Sequence, residues 1–135
     1  MITQEHINEI ADYLKSFEDG TRKHDQKNIH GCGSSHCLAG WKTYEDAIKE
    51  GLVVDDFKQI SRYDSEWYSS KLLVEFVTDK LNTKEWLPDE MDYAAQVWCL
   101  NEDEAELLFD GDLTLQEMKV NLKFIATSHD LKYDY

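Results

Sequence analysis

A chain of 135 residues carries 28 Asp and Glu against 14 Lys and Arg, a net charge of −14 with its five histidines neutral. That sign repels phosphate and argues against direct contact with nucleic acid or an anionic membrane. With 41% hydrophobic and 12% aromatic residues the chain can build a core, yet no apolar run reaches the ~18 residues that a membrane span needs.

In chain order, helical spacing appears first at Ile7, Ile10, Ala11, Leu14 and Phe17, with Thr3 placed to cap the helix and Ile2 to staple against Ile7. Asp19-Gly20 is its expected stop. Thr21 to Ser35 is polar, holds two glycines and has no periodicity, which predicts a long loop. The next helix is expected from about Ser35 to Glu50, capped by Ser34 or Ser35 and closed by Gly51, with Leu38, Trp41, Tyr44 and Ile48 on one face. Gly40 inside it suggests that another backbone packs close by. Leu52-Val53-Val54 is too short to assign: it is either a stray strand or the lead into a short helix through Phe57 and Ile60. A further helix is predicted from Asp64 or Ser65 to Leu81, turning Leu73, Phe76, Val77 and Leu81 inward. Pro88 opens another, carrying Met91, Ala94, Ala95 and Trp98.

The last part is the clearest. Asn101 caps a helix with Glu104 three residues on and Leu100 against Ala105; Asp110-Gly111 stops it. Thr114 then caps a second helix with Glu117, Leu113 stapling against Met118, and Leu122, Ile125 and Ala126 extend the buried stripe. Together these elements predict an all-α fold, a single domain over 1–135 with five to seven helices and a long Cys/His-containing loop after the first. Met1 to Glu5 shows neither a basic start nor an apolar run, so no secretory leader and a cytoplasmic location are expected.

Without a leader, Cys32, Cys37 and Cys99 do not suggest a disulfide framework. Cys99, between Trp98 and Leu100, is expected to pack as a small apolar residue. His30, Cys32, His36 and Cys37 hold four zinc-type donors within eight residues. The spacing is unfavourable, however: no second knuckle follows, and neighbouring positions 36 and 37 diverge. No cofactor is therefore expected, with zinc on those four residues as the alternative. A second alternative is a thiol-dependent enzyme, in which Cys37 in a first helical turn is the nucleophile and His36 its base. The favoured account is structural, with Cys37, Leu38 and Trp41 plugging the core beneath the loop. Asp110-Gly111-Asp112 does not begin a calcium loop, because Leu115 and Asn121 stand where the glycine and the final glutamate belong.

Charge is distributed unevenly. From Glu85 to Met118 there is no Lys or Arg, while Glu85, Asp89, Glu90, Asp92, Glu102, Asp103, Glu104, Glu106, Asp110, Asp112 and Glu117 are acidic. Such a stretch is either a solvated face or a surface for a basic partner.

Cys32-Gly33-Ser34-Ser35-His36-Cys37-Leu38-Ala39-Gly40-Trp41, followed later by Leu100 through Phe109, resembles a group of small phage and bacterial proteins. These carry a Cys-Gly-Ser/Thr-x-x-Cys-aliphatic-Ala-Gly-Trp/His string and then a Leu-x-x-x-Glu-Ala-x-x-Leu-Phe helix. The resemblance implies a phage or bacterial origin and one structural unit containing both stretches; it implies no activity. The expectation is thus an acidic interaction protein, phage- or mobile-element-derived, that binds a basic surface of a host or defence protein as an inhibitor or nucleic-acid mimic. Glu90, Asp92, Glu102, Asp103, Glu104, Glu106, Asp110 and Asp112 are the expected contact residues.

Overall fold

The structure is a computed structural model. It describes residues 1–24, 37–51, 76, 79–80 and 91–134 in full, and residues 30–31, 35–36, 58–62, 65–69 and 90 by their backbone. Helices predominate, as the periodicity predicts. Helix α1 spans Gln4–Asp19, α2 Leu38–Lys49, α3 Glu90–Val97, α4 Glu102–Phe109 and α5 Leu115–Ser128.

Local chemistry sets most helix starts. In α1 the Thr3 hydroxyl accepts from the His6 amide at 3.3 Å, while His6 Nδ1 accepts from the Thr3 amide at 3.1 Å. An imidazole thus fills the place usually held by Glu in a capping box. Asn101 with Glu104, and Thr114 with Glu117, form the two boxes anticipated from sequence. Helix α2 starts differently: Cys37 is its N-cap, its sulfur accepting from the Gly40 amide at 3.3 Å. Ser35, one of the two expected caps, lies in a strand instead, and the helix begins three residues later than predicted.

Two helix ends close without glycine. Cys99 (φ 58°) and Asp130 (φ 57°) both adopt the left-handed conformation. Beyond α3, the Leu100 amide donates to Ala95 O at 2.8 Å and the Cys99 amide to Gln96 O at 3.2 Å. Beyond α5, Leu131 and Asp130 donate to Ala126 and Thr127 in the same pattern. Both are Schellman closures. Cys99 is therefore exposed at a turn, not packed as expected. The position demands a backbone shape, and the thiol is left outside.

One hydrophobic cluster joins the helices: Ile7, Ile10 and Leu14 of α1 meet Leu38 and Ala39 of α2, Trp98, Leu108, and Leu122 and Ile125 of α5. Trp98 is fully buried, edge-on to Tyr13 at 5.9 Å and tilted against Phe109 at 6.3 Å. Each such side chain contributes about 1.5–3 kcal/mol by leaving water. Helix α1 packs on α5, and α2 on α3. The stretch after the cysteine loop and the C-terminal hairpin therefore share a core.

Small β elements interrupt the helices, and Ile60, expected at the end of a short helix, lies in one of them. Strands β1 (Lys23–His24), β2 (His30–Gly31) and β3 (Ser35–His36) form a sheet in the order β1-β3-β2, across the segment predicted as a plain loop and the predicted first residues of the next helix. Strands β4 (Lys58–Arg62) and β5 (Ser65–Ser69) pair antiparallel with Arg62 opposite Ser65. The helix predicted from residue 65 is thus corrected at its start: Ser65–Ser69 is strand, whereas Phe76, Asp79 and Lys80 are helical. Trp67 and Tyr68, at the start of the predicted helix, are strand-favouring residue types, and they pair across to Ile60 and Gln59. Phe76 is buried against Tyr93 at 5.3 Å. Leu52-Val53-Val54, Leu73, Val77, Leu81 and Pro88 lie outside the described residues.

Candidate functional site

The described part of the acidic stretch, residues 90–118, comprises α3, α4, the turns around them and the first turn of α5. The Schellman closure of α3 ends at Leu100, and the next residue, Asn101, caps α4. The two helices therefore leave one junction at a fixed angle, with a groove of about 620 Å³ between them. Met91 and Ala95 from α3, Leu100 from the junction, and Ala105 and Phe109 from α4 supply its apolar lining. Small side chains at Ala95 and Ala105 open the space. Asp92, Glu102, Glu106 and Asp110 are exposed and complete the lining with carboxylates.

Among the described residues, no Lys, Arg or His stands within ion-pair distance of Glu102, Asp103, Glu106 or Asp112. Lys119 and Lys123 of α5 are directed elsewhere, to Glu18 at 2.6 Å and Asp134 at 3.6 Å. Glu102 and Asp103 also face the positive end of the α4 dipole, which stabilises them and the helix.

The eight expected contact residues separate into groups. Asp92, Glu102, Glu106 and Asp110 share the groove; Asp103 and Asp112 are exposed beyond its lining. The Glu90 side chain lies outside the described residues. Glu104 is a correction. It is 8% exposed, one oxygen accepting from the Asn101 amide at 3.0 Å and the other 2.6 Å from His129 Nε2. At the third position of α4 it turns inward to close the capping box, so it is engaged in holding the fold and is not an exposed carboxylate of the groove.

The alternative sites meet other conditions. Cys37 is fully buried, its sulfur engaged by the Gly40 amide. This is the setting of a structural cysteine, since a reactive one must be reached by its electrophile. Cys32 lies outside the described residues, and His30 and His36 are placed by their backbone alone. No group of three or more metal-type side chains gathers among the described residues. Sequence reasoning missed the apolar floor of the groove; the four-residue spacing of Met91 and Ala95 was legible, but not which helix they would face.

Across the interface from the groove, α2 meets α1 and α3 through matched charges. Lys42, 5% exposed, pairs with Glu9 and with Asp46 (3.1 Å), and its ammonium lies 5.7 Å from the Trp98 ring centre. Asp46 also accepts from the Tyr93 hydroxyl at 2.7 Å. Arg22 grips Glu45 with two bonds, 2.5 and 2.8 Å, and lies 4.3 Å over the Tyr13 ring. Burial, then the carboxylates beside them, push the Tyr13 and Tyr93 phenols far above their ordinary range.

Comparison with known proteins yields no relative: no family model, curated protein or solved structure matches the chain. No helix among the described residues is long and apolar enough to cross a membrane.

Proposed function

We propose that the protein is a non-enzymatic interaction protein that takes a basic, amphipathic segment of another protein into the groove between α3 and α4. One observation carries this reading: an apolar floor and a carboxylate rim coincide, and no described cation pairs with Glu102 or Glu106. Apolar side chains of the partner would bury on Met91, Leu100 and Phe109. Its Lys or Arg residues would meet the rim, which speeds encounter and selects against acidic partners. The exposed carboxylates of the rim support an inhibitor or nucleic-acid-mimic role. In such a role carboxylates stand in for phosphates on a host or defence protein.

The test is affinity capture from bacterial lysate with the native chain and with a Glu102→Lys/Glu106→Lys chain as bait. A specifically captured protein with a basic face should be lost on charge reversal. It should also dissociate as salt rises, because exposed charges are screened beyond about 8 Å at physiological ionic strength. Equal capture by both baits refutes the reading.

A further inference from the structure

The groove also restricts the shape of what it takes. On α4, Glu102, Glu106 and Asp110 follow one another at four-residue steps, with Ala105 and Phe109 beside them at the same step. Asp110, the C-cap, keeps this register because its amide still donates to Glu106 O at 3.3 Å. Met91 and Ala95 repeat the step on α3. Four residues of helix advance about 6 Å, so the walls carry one acidic row and two apolar rows of a common period. Rows of that spacing are the ridges by which helices pack on one another.

The backbone around the groove points the same way. Its lining comes from the two helices and the turns at their ends, where main-chain groups are used internally. The Trp98 amide donates to Ala94 O at 3.0 Å and the Ala105 amide to Asn101 O at 2.9 Å. An extended peptide binds by pairing its own amides and carbonyls with a sheet edge. Here it would lay them on Met91, Ala95 and Phe109 with nothing to answer them. A helix satisfies its backbone within itself and turns only side chains to the walls.

We infer, resting on the function proposed above, that the occupant is an amphipathic α-helix with Lys or Arg at every fourth position and an apolar residue before each. Helix α4 carries the counterpart of this pattern in Ala105-Glu106 and Phe109-Asp110, an apolar residue before each acid. The basic row faces Glu102 and Glu106, and the apolar row seats on the floor. Small side chains at Ala95 and Ala105 let the incoming helix approach closely. With eight residues, α4 is about 12 Å long, so roughly two turns of the partner helix lie against it.

Synthetic peptides test this by calorimetric titration into the full chain at low ionic strength. The probe is an end-capped peptide of about fifteen residues with lysine at every fourth position, leucine before each lysine and alanine elsewhere. One control replaces its central alanine with proline, which breaks the helix and keeps the pattern. The other rearranges the same residues so that lysine and leucine alternate as in a strand. The probe should bind at least about ten-fold tighter than either control, and at least about ten-fold weaker to a Glu102→Lys/Glu106→Lys chain. So short a peptide is a marginal helix in water, so the circular dichroism of the mixture should exceed the sum of its parts. Amide shifts at Ala95, Ala105 and Phe109 in the native chain give a readout that needs no variant.

Equal affinity for the three peptides, binding by none of them, no gain of helix signal, undiminished binding to the charge-reversed chain, or amide shifts away from the groove would overturn the helical occupant. The wider reading is decided separately by the lysate capture, which assumes no conformation for the bound segment.

Discussion

Two faces of this molecule use carboxylates in opposite ways. Where α2 meets α1 and α3, Glu9, Glu45 and Asp46 each oppose Lys42 or Arg22, and Glu50 opposes Lys80 at 2.6 Å. Between α3 and α4, Glu102 and Glu106 face no described cation. The net charge of −14 is therefore not spread evenly. Several cations are stationed where helices pack, whereas at the groove Glu102 and Glu106 meet no counter-charge among the described residues. An acid on the first face is part of the fold; on the second it is available to something else.

The largest effect should come from breaking the matched face. Lys42→Met keeps the length of the side chain but takes the shared counter-charge from the part-buried Asp46 and the more exposed Glu9. A loss of about 3 kcal/mol is expected, read as a lower urea midpoint. Alkali should attack the same face. The folded pKa values of Tyr13 and Tyr93 lie above the unfolded value of about 10, so below pH 10 both states keep the proton and stability is full. Above it the unfolded chain releases protons that the folded chain retains, and stability falls by up to about 1.4 kcal/mol per pH unit for each tyrosine. Denaturant titrations from pH 9 to 11.5 should show this slope, reduced in Tyr93→Phe.

Smaller substitutions sharpen the contrast within α4. Glu104→Gln weakens the pair with His129 and the charged cap, and should cost about 1 kcal/mol in thermal or urea unfolding. Glu102→Gln, two residues away, should change stability by less than about 0.5 kcal/mol while weakening partner capture. Equal stability losses at the two positions would erase the distinction between them. Cys99→Gly relieves a left-handed side chain at the closure of α3 without altering the charge of the groove. It should stabilise the protein by about 0.5–1 kcal/mol and leave capture unchanged.

Legibility followed the range of the physical signal. The boxes at Asn101–Glu104 and Thr114–Glu117 were readable because a cap is a matter of four residues. Helix ends at Cys99 and Asp130 were not, since their closure rests on backbone geometry rather than on a glycine. Strands of two residues carry no alternation to detect, so the register that sets His36 opposite both His24 and His30 emerges only from pairing. Counting carboxylates located the acidic stretch but enlisted Glu104 as well. Its partner His129 lies 25 residues away, and only the packing of α4 near the end of α5 brings them together.

The stop of α3 and the start of α4 are consecutive: Leu100 completes one hydrogen-bonded closure and Asn101 begins the next. A hinge needs slack, and this junction has none. The cleft should accordingly keep its width whether empty or filled, and an incoming segment would do the adapting, folding onto a rigid template. Association should then proceed in a single kinetic phase whose rate rises linearly with the concentration of the incoming segment.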